Sequence, residues 1–536
     1  MAEKQGLEKR DWRPQMGLLL LVLALFFLNF YSKTLFFRPG STHQWRQADC
    51  LSIAKNYYEQ GMHFFEPEIH FQGEMKGKAV SEFPILNYTA ALLWKLFGEQ
   101  EFLYRLLEYL LFLSAIFVLF NTLVRYFKSL VLAFFTVSVF LTSPLLVFYG
   151  LNFIADVPAL SLSIICFCYT YQFYQNGIRR HFYLALGIGT LAVLMKASAL
   201  IPLSVLLLLS VLDISGLGKR VGAPTLFEKK GKPLVLVLLS IALIFSWYRY
   251  ALYYNDHNSN NIFLLTVLPI WNLTEAELIY NTKMLFNNLF PIFLNKPMLF
   301  VFFVLVVYVA SNLKKLDFFL RLSFLLSGLF FLLYLMFFYQ VFSVHDYYLV
   351  NLMIFPVITL FCFSALNLSN NLIQNHPVFA RVLVILVIVF NGFYSAAAYR
   401  NRMIEDDKLV HWYPFISEDE QRLAKYFFWD YGNNIKKLEN FRGQMRAHGI
   451  LRTDRVLSMP DQSFDISLYF LDQKGYTASK DHVVNDSTVL DRFLHKQLKY
   501  LVMNDTTLKK ERAFQRILPH LEPFFASGGV EVFKFK

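Results

Sequence analysis

The sequence predicts a polytopic α-helical membrane protein with a small soluble α/β domain at its C-terminal end. Of the 536 residues, 56% are hydrophobic and 58 are phenylalanine. Only 17% are charged, whereas about a quarter of the residues in an ordinary soluble domain carry a charge. Because a membrane span needs about 20 mostly apolar residues, the apolar runs before residue 400 indicate about eleven transmembrane helices.

The apolar runs follow one another closely along the chain. The first is too long for the apolar region of a secretion signal, so we interpret it as an uncleaved membrane helix. The fifth and sixth are short and can form one broken unit. The predicted spans lie near residues 16–37, 102–123, 130–148, 157–174, 182–195, 200–212, 233–254, 298–309, 318–340, 348–365 and 381–398.

Basic residues between the spans predict the orientation, because short cytoplasmic loops carry an excess of lysine and arginine. With eleven spans these residues fall on one side, whereas loops 143–155 and 341–344 contain neither type. We therefore predict a bacterial inner-membrane protein with a cytoplasmic N-terminus and a periplasmic C-terminus. The same pattern accounts for the net charge of +12, so nucleic acid is not a predicted partner. The basic residues are Lys4, Lys9, Arg10, Arg13, Arg125, Lys128, Arg179, Arg180, Lys219, Arg220, Lys229, Lys230, Lys232, Lys314 and Lys315.

The chain changes character after about residue 401, where apolar runs shorten and charges return. The stretches RVLSMP, KYLVMND and VEVFKFK predict short strands, and SFDISLYFLDQKG and VLDRFLHKQL have helical spacing. We predict a transmembrane domain over residues 1–400, with a first periplasmic loop at 38–101, and a periplasmic α/β domain over 401–536. The four cysteines show no metal-type spacing, which indicates neither a zinc site nor a disulfide framework.

Six separate segments bring ionisable residues to the predicted outer side. Such residues are costly at membrane depth and usually mark a function. Taken singly they have simpler explanations, since Asp49 can cap the helix that follows it and Lys196 and Arg249 can reach the headgroups. Those explanations do not account for carboxylates beside the cations. The residues are Asp49, Glu82, Asp156, Lys196, Arg249, His345 and Asp346.

This combination of residue types suits one chemistry. A carboxylate can act as a general base toward a hydroxyl, and lysine and arginine can hold a phosphate that leaves with added charge. A site at the outer ends of membrane helices suits a donor whose lipid tail stays in the bilayer. Because the sequence contains no glycine-rich nucleotide loop, we predict glycosyl transfer from a lipid-phosphate-linked sugar rather than from a nucleotide sugar.

From about residue 16 to residue 398 the chain resembles the membrane-embedded GT-C glycosyltransferases. It is most similar to bacterial relatives of the dolichyl-phosphate-mannose protein mannosyltransferases (family 39) and of the lipid A aminoarabinose transferase. The resemblance rests on HQWRQAD at 43–49, EFPILNY at 82–88, ADVPAL at 155–160, LMKAS at 194–198 and HDYYL at 345–349. It implies an inverting transferase that moves a sugar from a polyprenyl-phosphate (undecaprenyl-phosphate) donor to an acceptor hydroxyl.

The resemblance also implies roles for individual residues. Asp49 matches the acidic residue of the family's first outer loop, which lies on two helices parallel to the membrane, and would be the general base. Asp156 matches a second acidic position that orients the acceptor, shares the base role or helps to bind a metal. The donor phosphate would be bound by Arg46, Lys196 and Arg249. The pocket would be lined by His43, Glu82, His345, Asp346, Tyr347 and Tyr348.

Two departures from the family leave the substrate open. The mannosyltransferases carry an adjacent Asp-Glu pair, whereas Cys50 follows Asp49 here. The aminoarabinose transferase carries Lys-Pro-Pro in its first loop, where this chain has Glu82-Phe83-Pro84. We therefore expect a glycan, a glycolipid or a protein as acceptor, used in modifying the cell envelope.

Metal dependence and two other functions stay open. Oxygen and nitrogen ligands are present, but their spacing selects no ion; they are His43, Asp49, Glu82, Asp156 and His345. A lipid or glycan transporter is disfavoured, because transporters place charges near the midplane on repeated, broken helices. A non-enzymatic membrane scaffold, with the tail as its binding module, is the other alternative.

Overall fold

The computed structural model describes residues 12–260, 262–263, 266–370, 377–412 and 416–536. Helices make up the described chain as far as Met403, and a five-stranded sheet with short helices lies beyond Val456. The predicted fold class is therefore confirmed. Three basic residues of the orientation argument, Lys4, Lys9 and Arg10, lie outside the described residues.

Every predicted span coincides with at least one helix of the structure. A 3₁₀ turn at Asp346–Met353 precedes the helix of the tenth span. The helices are α1 (Arg13–Leu28), α2 (Tyr31–Thr34), α3 (Gln44–Glu59), α4 (Ile85–Phe97), α5 (Glu101–Phe127), α6 (Leu130–Leu141), α7 (Pro144–Tyr149), α8 (Asp156–Asn176), α9 (Arg179–Met195), α10 (Ile201–Ser215), α11 (Gly231–His257), α12 (Glu275–Met284), α13 (Phe290–Phe293), α14 (Lys296–Ser311), α15 (Phe318–Phe337), α16 (Ile354–Asn370) and α17 (Pro377–Met403).

The lengths of these helices divide them into two groups. Within the described ranges, six helices are long and apolar enough to cross a membrane, and the bent unit of α12 to α14 makes a seventh if it counts as one span. The helices α1, α4, α6 and α10 are also apolar but have 10–17 residues. The chain is thus a multi-pass membrane protein, with several spans shorter than a full bilayer crossing.

Helix α8 lies in the interior of the bundle. Its apolar stretch is 83% buried, whereas those of α11 and α17 are 22% and 28% buried, so these two helices turn apolar surface outward as lipid-facing helices do. Gly189 allows α9 to approach α8 closely, because a Cβ atom there would lie 2.7 Å from the sulfur of Cys166. The core position of α8 fixes Asp156, its first residue, in the interior.

The tail folds into the predicted α/β unit. Its strand order is β2-β1-β3-β5-β4, with β2, β1 and β3 parallel and β5 antiparallel to β3 and β4. The elements are α18 (Lys408–Trp412), α19 (Glu418–Asp430), α20 (Phe441–Ala447), β1 (Val456–Met459), α21 (Ile466–Leu471), β2 (Gly475–Thr477), α22 (Lys480–Asn485), β3 (Tyr500–Met503), α23 (Arg512–Ile517), β4 (Leu521–Ser527) and β5 (Val530–Phe535).

The three strands and the first helix predicted for the tail are present as β1, β3, β5 and α21. The helix predicted over VLDRFLHKQL is wrong, because only one 3₁₀ turn forms there, at Asp491–Phe493. Its apolar anchors Leu490 and Phe493 are three residues apart and both buried, so a single turn is enough to place them under the sheet.

The first long loop, residues 60–84 between α3 and α4, adds to the edge of this sheet. Phe71 bridges Gly475 in parallel, the amide of Gln72 donates to the Gly475 carbonyl at 2.7 Å, and the amide of Gly475 donates to the His70 carbonyl at 3.1 Å. The loop therefore covers the edge strand β2, which would otherwise present unpaired backbone groups. The tail is joined to the part of the chain that carries Asp49. The division at residue 400 stays a prediction.

Candidate active site

Four charged side chains from distant segments form one chain of ion pairs. A terminal nitrogen of Arg46, on α3, lies 2.6 Å from Oε1 of Glu82. The Lys196 ammonium lies 3.1 Å from the same oxygen and 3.2 Å from the carboxylate of Asp156. Four of the residues predicted for the site are therefore joined in one series of three contacts.

Local backbone structure explains why these residues meet. Lys196 follows the last residue of α9 with an extended backbone, φ −154° and ψ 117°, so its side chain leaves the helix axis. The amide of Phe83 donates to the carbonyl of Leu194 at 3.1 Å, which holds the Glu82 loop against the end of α9. Asp156 lies opposite as the first residue of α8.

Glu82 is the anion between the two cations of this network. Burial raises the pKa of its carboxyl, but Arg46 and then Lys196 outweigh burial and hold the pKa well below its usual range. The carboxylate therefore stays ionised at any physiological pH and is a poor proton acceptor. Its contacts instead fix the positions of two cationic groups.

Asp49 has the opposite environment, one helical turn beyond Arg46 on α3. It is fully buried, and within the described part of the chain neither of its carboxylate oxygens accepts a hydrogen bond. Burial raises its pKa to about 8, Arg46 acts against this rise, and Glu82 and Asp461 add to it. A carboxyl with a pKa near the working pH is suited to general-base chemistry.

Two of the carboxylates near Asp49 come from the tail. Asp465 is fully buried, and its Oδ1 accepts the amide of Phe71 at 2.9 Å. Burial and then Asp49 raise the pKa of Asp465, and burial also raises that of Asp461. Neither residue was predicted from the sequence. A signal existed, because they follow β1, and the carboxyl ends of parallel strands commonly carry functional groups.

A second cluster surrounds Asp346 at the start of the tenth span. Its carboxylate lies 3.1 Å from Nε2 of His43 and 3.2 Å from a terminal nitrogen of Arg402, and it accepts the hydroxyl of Tyr149. The ring of Tyr347 lies 5.0 Å from that of His43, centroid to centroid. Arg402 and Tyr149 were not predicted, since neither belongs to a motif with the other residues.

Aromatic rings join the two clusters. The Lys196 ammonium lies 5.5 Å from the ring centroid of Tyr347 and 5.8 Å from that of Tyr348, distances at which a cation interacts with a ring face. The ring of His345 lies 5.4 Å from that of His43, and burial, aided by His43, lowers its pKa to about 4. His345 is therefore neutral at pH 7.

A cavity of about 780 Å³ opens beside the second cluster. It lies between the first loop, the bent unit of α12 and α13, helix α19 and residues 462–466 of the tail. Three of the six residues predicted for the pocket line it, namely His43, His345 and Asp346, whereas Glu82, Tyr347 and Tyr348 do not. The tail thus supplies one wall of a cavity whose other walls belong to the helical bundle.

Arg249 is not part of these clusters. Its side chain is exposed on α11, whereas the adjacent Tyr248 turns inward and donates to the carbonyl of Val193 at 2.8 Å. The assignment of Arg249 to the donor phosphate stays a prediction that this placement does not favour.

No metal-binding group of three or more His, Cys, Asp or Glu residues occurs among the described residues. Two of the predicted ligands, Glu82 and Asp156, contact Lys196 instead. Ion pairs therefore hold the described clusters together, and metal dependence stays open.

The fold and the clusters define a class, that of multi-pass membrane proteins with the GT-C glycosyltransferase fold. The resemblance inferred from the sequence is confirmed. Residues 81–248 match the family model described as dolichyl-phosphate-mannose-protein mannosyltransferase, a segment that includes Glu82, Asp156 and Lys196 but less than half of the chain. No curated protein matches the sequence.

Solved structures match nearly the whole chain. ArnT from Cupriavidus metallidurans bound to undecaprenyl phosphate aligns with a TM-score of 0.57 and 14% identity over 97% of this chain and 98% of that one. The arabinofuranosyltransferase AftD from Mycobacteria aligns with a TM-score of 0.53 and 12% identity, and the match covers 97% of this chain but 40% of AftD. The Archaeoglobus fulgidus oligosaccharyltransferase gives 0.53 and 12% over 92% and 70%. At these identities the likeness shows the fold.

Proposed function

We propose that this protein is an inverting glycosyltransferase that moves a sugar from a polyprenyl-phosphate donor to an acceptor hydroxyl. Two neighbouring features carry the proposal. One is the chain of ion pairs from Arg46 through Glu82 and Lys196 to Asp156. The other is the buried carboxylate of Asp49, whose oxygens accept no hydrogen bond within the described part of the chain. Together they provide two cations that can bind a phosphate and a carboxyl whose pKa suits a general base, within the fold of known membrane glycosyltransferases.

In the proposed reaction, Arg46 and Lys196 bind the phosphate of the donor. The acceptor oxygen attacks the anomeric carbon from the opposite side, and the bond between that carbon and the phosphate oxygen breaks. The acceptor proton passes to Asp49, and polyprenyl phosphate leaves with one more negative charge, which the two cations stabilise. Glu82 keeps the cations in place, and Asp156 holds Lys196 from the other side.

The choice of a polyprenyl-phosphate donor is supported by the structure of ArnT bound to undecaprenyl phosphate. The predicted arrangement belongs to the same proposal. The protein would lie in a bacterial inner membrane with residues 1–400 as the transmembrane domain, residues 401–536 in the periplasm and the site at the periplasmic face. The acceptor would be a component of the cell envelope.

The proposal is tested with the full chain in lipid nanodiscs, supplied with undecaprenyl-phosphate-linked hexoses and pentoses and with envelope glycans. We expect release of undecaprenyl phosphate and a labelled glycan product. Lys196→Ala should weaken binding of undecaprenyl phosphate by about tenfold or more, because it removes a charge-assisted contact. Lys283→Ala, which removes an exposed lysine of α12, is the matched control.

Two results would contradict the proposal. One is that no donor in the panel loses its sugar. The other is that Lys196→Ala and Lys283→Ala bind undecaprenyl phosphate equally well. A transporter would give a third result, because it would move the intact donor between the leaflets of a vesicle without breaking the bond between sugar and phosphate.

A further inference from the structure

The cavity beside the second cluster carries its own charge pattern. Four carboxylates line it, those of Asp346, Asp419, Glu420 and Asp430, together with the guanidinium of Arg402. Arg402 is already paired with Asp346. Arg402 also interacts electrostatically with Glu420, which leaves Asp419 and Asp430 of α19 without a cation from the cavity's described lining.

Arg422, an exposed cation near these carboxylates, neutralises them only weakly. Arg422 lies 3.8 Å from Asp419, but the two side chains are 73% and 77% exposed, and such surface pairs interact weakly. The imidazole of His345 is neutral at pH 7, because burial and His43 lower its pKa to about 4. A phosphate or carboxylate entering from this side would therefore meet like charge.

The apolar part of the lining is aromatic. Trp45 and Tyr280 from the bundle and Phe427 and Phe464 from the segment after α17 contribute rings. Aromatic faces carry partial negative charge and pack against the polarised C–H faces of sugar rings, while carboxylates and imidazoles accept and donate hydrogen bonds to hydroxyls. This combination of rings and convergent polar groups is typical of a small-ligand site.

The tail holds its part of this wall in a fixed position. Phe464 contacts Trp45 with ring centroids 6.2 Å apart, and the next residue, Asp465, accepts the amide of Phe71. Packed side chains connect the cavity wall to the ion-paired network, because the ring of His43 lies 5.0 Å from that of Tyr347 and the Lys196 ammonium lies 5.5 Å from the Tyr347 ring. Contacts of His43 and Tyr347 thus link a ligand in the cavity to Lys196.

We propose that this cavity binds the acceptor and that the acceptor is a saccharide without acidic groups, either neutral or amino-bearing. The inference rests on the proposed function, since it assigns the second substrate of the same site. It gives the tail a role, which is to form the acceptor wall with residues 462–466, and it separates the acidic acceptor side from the cationic donor side.

The first test measures binding by the full chain in nanodiscs without donor lipid. The three probes are chitotriose, which is neutral, its fully deacetylated trimer, which is cationic, and trigalacturonate, which is anionic. We expect the first two to bind and trigalacturonate to bind at least about tenfold more weakly, with the difference reduced at high salt. Equal or tighter binding of trigalacturonate, or no binding of any trimer, would overturn the inference.

Two pairs of variants locate the binding. The double change Asp419→Lys and Asp430→Lys should increase trigalacturonate affinity at least about tenfold, whereas Glu418→Lys, on the same helix but outside the lining, should not. Phe464→Ala should weaken chitotriose binding at least about fivefold, and Phe524→Ala, a partly exposed ring in β4, should leave it unchanged. If neither lining variant changes the affinities, the saccharide binds elsewhere and the inference fails.

These outcomes are independent of donor chemistry. If the protein binds the neutral trimer in the cavity but cleaves no lipid-linked sugar, the proposed transfer fails and the binding site stands. If it cleaves the donor but prefers trigalacturonate, the transferase assignment stands and the acceptor inference fails.

Discussion

The ammonium of Lys196 lies 3.1 Å from a carboxylate oxygen of Glu82, although 114 residues separate them in the sequence. Arg46 contacts the same carboxylate, so one anion lies between a buried cation and a largely buried one. Each cation would repel the other if the carboxylate were absent. Glu82 therefore determines whether a cationic phosphate site can exist at the end of α9.

Glu82→Gln should destabilise the protein and abolish transfer. The substitution keeps the shape of the side chain but leaves Arg46 and Lys196 without their shared anion. Breaking a buried ion pair by removing one partner costs about 3 kcal/mol or more. Thermal unfolding in detergent and the rate of sugar transfer measure the two effects. Glu66→Gln, an exposed residue of the same loop, is the control, and equal stability of both variants would contradict the prediction.

The rate of transfer should rise with pH and reach half of its maximum near pH 8. Burial raises the pKa of Asp49 to about 8, and a general base acts in its deprotonated form. Asp49→Asn should abolish transfer without preventing folding, whereas Asp481→Asn, on the exposed side of α22, should keep the wild-type profile. An Asp49→Asn variant with full activity would remove Asp49 from the mechanism.

The same carboxyl should make stability depend on pH. Its pKa is higher in the folded protein than in the unfolded chain, where it is about 4. The folded state therefore binds a proton more tightly, and this contribution to stability is present below about pH 4 and is lost as the pH rises to about 8. Asp49→Asn lacks the titration, so it should gain roughly a few kcal/mol over wild type between pH 5 and pH 8.

Chemical unfolding of wild type and Asp49→Asn at these two pH values measures that gain. A constant difference between the two proteins across the range would show that Asp49 does not titrate there. The test is separate from catalysis, because it requires neither donor nor acceptor.

The helices and much of the candidate site were predictable from the sequence, because apolar length and short polar motifs are local signals. Asp156 and Lys196 lie at helix ends whose positions follow from the length of each apolar run. Arg249 shows the limit of this reasoning. One residue along a helix changes direction by about 100°, so Tyr248 turns inward while Arg249 is exposed, and no apolar run specifies that rotation.

The part contributed by the tail was not predictable in the same way. Asp465 reaches the neighbourhood of Asp49 because β2 pairs with Phe71 and because Phe464 packs on Trp45. These are contacts between segments hundreds of residues apart. The periodicity of apolar residues can predict the strand and the helix on either side of Asp465. It contains no information about which loop pairs with the edge strand of the sheet.

The tail should be held on the first loop by Lys55, a residue of α3 that is 2% exposed. Its ammonium lies 2.5 Å from Glu99 and 3.2 Å from Asp472 of the tail. Lys55→Met keeps the apolar stem and removes the charge. Asp472 keeps Arg446 and Arg452, and Glu99 keeps Arg442, but both carboxylates lose their buried cation. We expect a loss of about 1.5–3 kcal/mol in unfolding free energy, the contribution of hydrogen bonds to charged groups, and faster release of the tail by limited proteolysis.

Lys480→Met is the matched comparison, because Lys480 also forms an ion pair with an aspartate of the tail, Asp505, at 2.8 Å, but is 49% exposed. An exposed pair contributes less than about 1 kcal/mol, so this variant should release the tail at the wild-type rate. Because α3 carries both Lys55 and Asp49, loosening the tail should also slow transfer in Lys55→Met alone. Equal proteolysis and equal transfer in the two variants would show that the tail is held by its strand contact with Phe71 and not by the buried lysine.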